Sequence, residues 1–283
     1  MDVTATEAPA LTGAASGMPP TTDLTGQPGP ADLTGLTGLS GLLLLADSRL
    51  PAGGHAHSGG AEEACRTGAI SGPEDLARFL RGRLATAGRV AAALAWSACA
   101  AAHVPKFPDT EVPDIRAADS GDPTSTGPAG AADAADKWRL LDAEADARIA
   151  SPAQRLASRT QGRLLVRTAK RIWPSRALEE LARDVPDGAH HPIALGVAAR
   201  AAGCTPAQAA MAAAYTSVTG AATAAVRLLG LDPVTVHRVL ADLPYDSVIA
   251  EQHDWSALPA HAAPALDLLA EQHLRTEVRL FVS

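Results

Sequence analysis

The sequence predicts an all-α fold, a single-domain bundle of roughly eight to ten helices, and three observations carry that expectation. Alanine supplies 63 of the 283 residues against nine aromatic residues in total, a composition of small side chains suited to close helix packing rather than to strands. Apolar residues recur at helical steps, as in Leu76, Leu80, Leu84, Ala87, Ala91, Leu94 and Ala98. Helix starts are legible as well. Thr205-Pro206-Ala207-Gln208 and Ser151-Pro152-Ala153-Gln154 each put a hydroxyl at the N-cap, proline at the first helical position and glutamine two residues further on. Ser71 to Glu74 and Asp232-Pro233 offer related starts, and Gly68, Gly203 and Gly230 stand where helices should stop.

Taken in order, residues 1–38 repeat Leu-Thr-Gly at 11, 24, 33 and 36 and have few bulky side chains, so they read as a disordered arm. A leucine run follows, then a glycine-rich corner, Leu50-Pro51-Ala52-Gly53-Gly54-His55-Ala56-His57-Ser58-Gly59-Gly60-Ala61-Glu62-Glu63. The plain reading of the corner is a tight inter-helix turn in which glycine supplies positive φ, Ser58 caps a short helix and Glu62 suits its N-terminal dipole. A sharper reading is metal contact through His55 and His57, with Cys65 or Asp47 approaching in the fold. Residues 104–136, with five prolines and no leucine, read as a disordered insertion. The folded unit is therefore 39–103 plus 137–283.

From Arg148 to Leu178 there are eight basic residues and no acidic one, and Arg155, Arg159, Arg163, Arg167 and Arg171 recur every fourth position. On a helix, five guanidiniums at this spacing wind slowly across one flank. They form either a solvated face balanced by acidic residues elsewhere or a docking surface for an acidic partner. His190-His191-Pro192 reads first as a loop that starts a helix. The helix after Thr205 is small-residued around most of its circumference, which places it at the bundle centre or at a subunit contact. The last residues run to an apolar Arg279-Leu280-Phe281 that needs a place to dock.

Charge and motifs exclude several functions. Twenty-four Lys and Arg against 31 Asp and Glu give a formal charge of −7, the wrong sign for wholesale nucleic acid binding. No phosphate-binding P-loop, dinucleotide fingerprint or serine nucleophile elbow occurs, so no catalytic residue is assigned and a non-enzyme is expected. Three unpaired-looking cysteines and no basic residue before Arg49 point to a reducing cytoplasm. The apolar stretches 41–46 and 90–102 are too short or too alanine-rich to cross a membrane.

Three segments resemble a known family, the urease accessory protein UreF. The first is Leu42 to Glu62, a leucine run followed by Leu-Pro-x-Gly and then Ser-x-Gly-x-Glu at Ser58, Gly60 and Glu62. The second runs from His191-Pro192 through Thr205-Pro206 to Ala225-Val226-Arg227-Leu228, and the third is Arg279-Leu280-Phe281 with Ser283. The resemblance implies an all-α, usually dimeric protein that joins the accessory protein UreD (also called UreH) and the GTPase UreG on apo-urease. It implies nickel in transit through that complex and no tightly bound cofactor. Arg279, Leu280, Phe281 and Ser283 carry over as partner-binding residues, and Gly53, Ser58, Gly60 and Glu62 as the matched corner. His55 and His57 inherit no nickel role from it. The alternative is a nickel-binding storage protein or metallochaperone using loop histidines, among them His190 and His191, together with Cys65.

Overall fold

A computed structural model describes residues 30–102, 129–252 and 254–283, with side chains from residue 38 in the first segment and from residue 137 in the second. The arm expected over 1–38 lies outside the described residues as far as residue 29, and the insertion expected over 104–136 lies outside them as far as residue 128. The helices are α1 (Pro30–Ala46), α2 (Ala61–Arg66), α3 (Pro73–Arg83), α4 (Arg89–Ala101), α5 (Ala129–Arg148), α6 (Pro152–Ile172), α7 (Arg176–Asp184), α8 (His191–Ala201), α9 (Pro206–Leu229), α10 (Pro233–Ala241) and α11 (Pro264–Arg275). A π turn, Leu84–Gly88, joins α3 and α4 into one 29-residue rod. The described residues contain no β-strand.

The strongest start signals form as written. Thr205 accepts from the Gln208 amide while the Gln208 side chain accepts from the Thr205 amide, and Ser151 and Asp232 cap α6 and α10 through their side-chain oxygens. Gly68 and Gly203 take positive φ just beyond α2 and α8, and Gly230 is the left-handed C-cap of α9. Two starts differ from expectation. Gly72, not Ser71, is the N-cap of α3, because the Ser71 hydroxyl and amide both turn to the Asp75 carboxylate one turn on. Gly60, not Ser58, is the N-cap of α2, because Ser58 is engaged elsewhere.

Helix α9 lies at the centre. One set of its side chains, Ala209, Ala212 and Ala213, joins a core built on α4, α5, α6, α7 and α8. Another set, Ala210, Ala214, Val218, Ala221, Ala222, Ala224 and Ala225, joins a second core with α2, α3 and α10. Only side chains this small let one helix serve both. Helices α4 and α8 cross in close contact, where a Cβ at Gly196 would lie 2.3 Å from the Ala95 carbonyl oxygen. The α3–α4 rod and α9 are long and apolar enough to cross a membrane, yet 56% of each candidate span is buried inside the bundle. The π turn is what lengthens the first of them beyond the short stretch visible in sequence.

Candidate functional site

The corner and the chain's last residues, joined across 218 to 226 positions, form one structure. Gly53, Gly59 and Gly60 all have positive φ, as a chain turning this sharply requires. Arg83 fastens the turn by donating to the carbonyls of Gly59 (2.7 Å) and Ser217 (2.6 Å), and its enclosure lowers its pKa to about 10. Onto this frame the segment 280–283 is laid strand-like. The Val282 amide donates to the Ala56 carbonyl (2.7 Å), and the Ser58 amide and hydroxyl both donate to the Ser283 carbonyl oxygen (2.5 and 2.9 Å). The Glu62 carboxylate accepts from the amides of Leu280 (2.7 Å) and Phe281 (3.1 Å). His57 Nδ1 lies 2.6 Å from Ser283 Oγ, and His273 Nε2 lies 3.2 Å from the Phe281 carbonyl oxygen.

This arrangement sorts the residues singled out in the sequence. Ser58 and Glu62, read as helix-capping groups, are spent on the tail's backbone. Phe281 is 7% exposed and packs with α2, α3, α9 and α10, so in this conformation its ring is an internal anchor rather than a free contact group. The neighbours point out. Val278, Leu280 and Val282 are 87%, 74% and 59% exposed, and Arg279 is exposed beside them.

His55 is exposed, whereas His57 is buried and its pKa falls to about 4, through burial first and the nearby His55 second. The His191 imidazole is also held at about 4, by burial and then by His57. Burial, with the Glu62 charge second, pushes the Cys65 thiol up. Asp47 pairs with Arg49 instead of approaching the imidazoles. Among the described residues, no third ligand joins His55 and His57 in a metal-holding group.

Among the described residues, the group of this kind is Asp142, Asp146 and His190, whose ligand atoms lie within 4.8 Å of one another. Its two aspartates went unremarked in the sequence, although their i, i+4 spacing on α5 puts both on one face. Arg159 donates to Asp142 (2.8 Å), to Asp146 (2.6 Å) and to the Gly188 carbonyl (2.9 Å). His190 Nε2 meets Asp146 at 2.9 Å, and its amide donates to Asp142 at 3.0 Å. Burial opposes ionisation of Asp146, but the bonds from His190 and Arg159 win and its pKa is lowered. At His190 burial prevails over the carboxylates and the imidazole pKa is lowered. The set suits a metal ion poorly, because a guanidinium already supplies the cation these oxygens need. Gly162 makes the lock possible: a Cβ there would stand 1.9 Å from the Ala189 carbonyl oxygen, so α6 touches the loop that carries His190.

The arginine stripe divides. Arg155 donates to the carbonyls of Ile149 and Ala150, Arg159 forms the lock, and Arg163 donates to the Asp187 carbonyl. Arg167 and Arg171 are exposed and have no hydrogen bond or ion pair with any described residue. With Pro51, Leu164, Thr168 and Ile172 they line a groove of about 480 Å³ between α6 and the start of the corner. Thr168 Oγ1 donates to the Pro51 carbonyl (2.8 Å), and a Cβ on Gly53 would meet Leu164 Cδ1 at 2.8 Å.

Fold and site together define an all-α protein whose conspicuous feature is a self-docked tail, with no catalytic constellation evident among the described residues. The UreF family model matches residues 70–244. The chain is 41% identical over 251 residues to the urease accessory protein UreF of Mycolicibacterium vanbaalenii, covering 88% of this chain and 100% of that protein. It is 38% identical to the UreF of Mycobacterium marinum and 37% identical to that of Mycobacterium tuberculosis, each over 248 residues, with the same two coverages. The chain belongs to the UreF family.

Proposed function

We infer that this chain is a urease accessory protein that works as a cytoplasmic, non-catalytic scaffold. In this reading it holds UreD (UreH) and the GTPase UreG on apo-urease while nickel is inserted under GTP control, acts as a homodimer, and meets nickel only in transit. Family membership supports the maturation role. The observation that carries the scaffold role is the docked tail, with its backbone held by Glu62, Ser58 and Ala56 and its aliphatic side chains turned to solvent. A segment whose backbone is held over 280–283 presents Leu280 and Val282 with part of the backbone entropy of association already lost, which favours binding.

Arg279 and Leu280 are then contact residues for UreD, while Gly53, Ser58, Gly60, Glu62, Phe281 and Ser283 hold them in position. Co-purification with UreD and UreG, with and without GTP, tests this. Leu280→Ser should weaken UreD capture tenfold or more with the melting temperature unchanged, as expected for an anchor at the centre of an interface. Normal capture by a Leu280→Ser, Arg279→Ala double variant would remove the tail from the interface.

A further inference from the structure

We propose that the groove lined by Leu164, Arg167, Arg171 and Ile172 is a second docking surface, and that its occupant is an acidic helical segment of a partner protein with an aliphatic side chain between its carboxylates. This rests on the scaffold reading and adds the chemistry of one contact. Positions 164, 167, 168, 171 and 172 fall on one face of α6. Arg167 and Arg171 stand one turn apart with like charges and no counter-ion among the described residues, in a chain of net charge −7. The other basic side chains of α6 all have partners: Arg155, Arg159 and Arg163 as described above, and Lys170 in an ion pair with Glu179 at 2.6 Å.

Two exposed aliphatic side chains, Leu164 and Ile172, flank the guanidiniums. The wall is fixed rather than adaptable, because Thr168 ties it to Pro51 and the glycine at 53 leaves no gap against Leu164. Charge complementarity names the partner. Guanidiniums at i and i+4 match carboxylates at i and i+4 on a facing helix through paired N–H···O bonds, and the aliphatic side chains that flank them favour a protein segment over duplex nucleic acid.

The test measures binding of the full chain to purified UreD and to purified UreG by calorimetry at low and high salt. The variants are Arg167→Glu with Arg171→Glu, both positions to Lys, and Arg81→Glu with Arg238→Glu as an exposed charge-matched control on α3 and α10. The double reversal should weaken one of the two complexes tenfold or more with unchanged helicity. The lysine pair should lose less, and salt should weaken the wild type more than the reversal variant. Unchanged affinity of the reversal variant for both proteins overturns the proposal. So does a loss confined to binding of RNA or phosphatidylserine vesicles, measured in parallel. Wild-type protein that binds neither UreD nor UreG instead sinks the scaffold reading itself.

Discussion

The two halves of the α6 arginine stripe are alike in residue type and spacing and opposite in fate. Arg155, Arg159 and Arg163 turn into bonds with Asp142, Asp146 and backbone carbonyls, while Arg167 and Arg171 face solvent over an apolar groove. Periodicity on one helix therefore says that charges share a flank, and nothing about whether they hold the molecule together or await something outside it. The deciding information sits on other elements. Around the first half are an aspartate pair on α5 and a glycine turn before α8; around the second half no described residue offers an acid.

The largest effect that separates the halves should come from Arg159→Ala. It leaves Asp142, which is 8% exposed, with only the His190 amide and removes one counter-charge from Asp146, and the loss should be about 3 kcal/mol, the low end for breaking a buried pair. Chemical denaturation measures it, and a loss below about 0.5 kcal/mol would erase the distinction.

The tail shows the same inward and outward division, so Phe281→Ala should rank next. Truncating a buried ring at the periphery of a core should cost about 2 kcal/mol of docking, seen as faster hydrogen exchange at the Leu280 and Phe281 amides.

Third comes pH. His57 and His191 titrate near 4 in the folded chain against an ordinary 6.5. Between those values the unfolded chain binds protons that the folded chain refuses, so stability falls as pH drops from about 6.5 toward 4 and is flat with respect to these groups above it. His57→Gln should remove about half of the slope that His57 and His191 contribute in a melting series, with buried His190 adding its own share in the same direction.

Smallest of all, Arg167→Ala with Arg171→Ala should leave stability within about 0.5 kcal/mol, and a slight gain would fit relief of like-charge repulsion.

Much of the fold was readable because its signals are local. The N-caps at Ser151, Thr205 and Asp232 and the glycine stops depend on residues within a few positions, and the alanine-rich surface of α9 announces a crowded environment from composition alone. What stayed hidden depends on distant partners. Ser58 looks like a helix cap until Ser283 is placed beside it, and Glu62 looks like a dipole-satisfying acid until two tail amides occupy it. Asp142 and Asp146 sit in an unremarkable acidic helix. Only Gly162, which admits the Ala189 loop, brings His190 and Arg159 to them. Helical period likewise marked 76–98 as one run but could not show the π turn inside it.

That turn, Leu84–Gly88, holds one residue more than ideal α-helical winding would place there. Each residue advances an α-helix by about 100°, and the wider turn absorbs the extra one, so it keeps Arg83, which clamps the corner, in rotational phase with the alanines of α4 that press against α8. Deleting a single amino acid within it would restore α winding with the downstream side chains still in their seats, whereas deleting one from α4 itself would swing all that follow it by about 100°. The molecule's two cores are thus synchronised by a local irregularity of the backbone, as a keyed joint fixes the angle between two shafts.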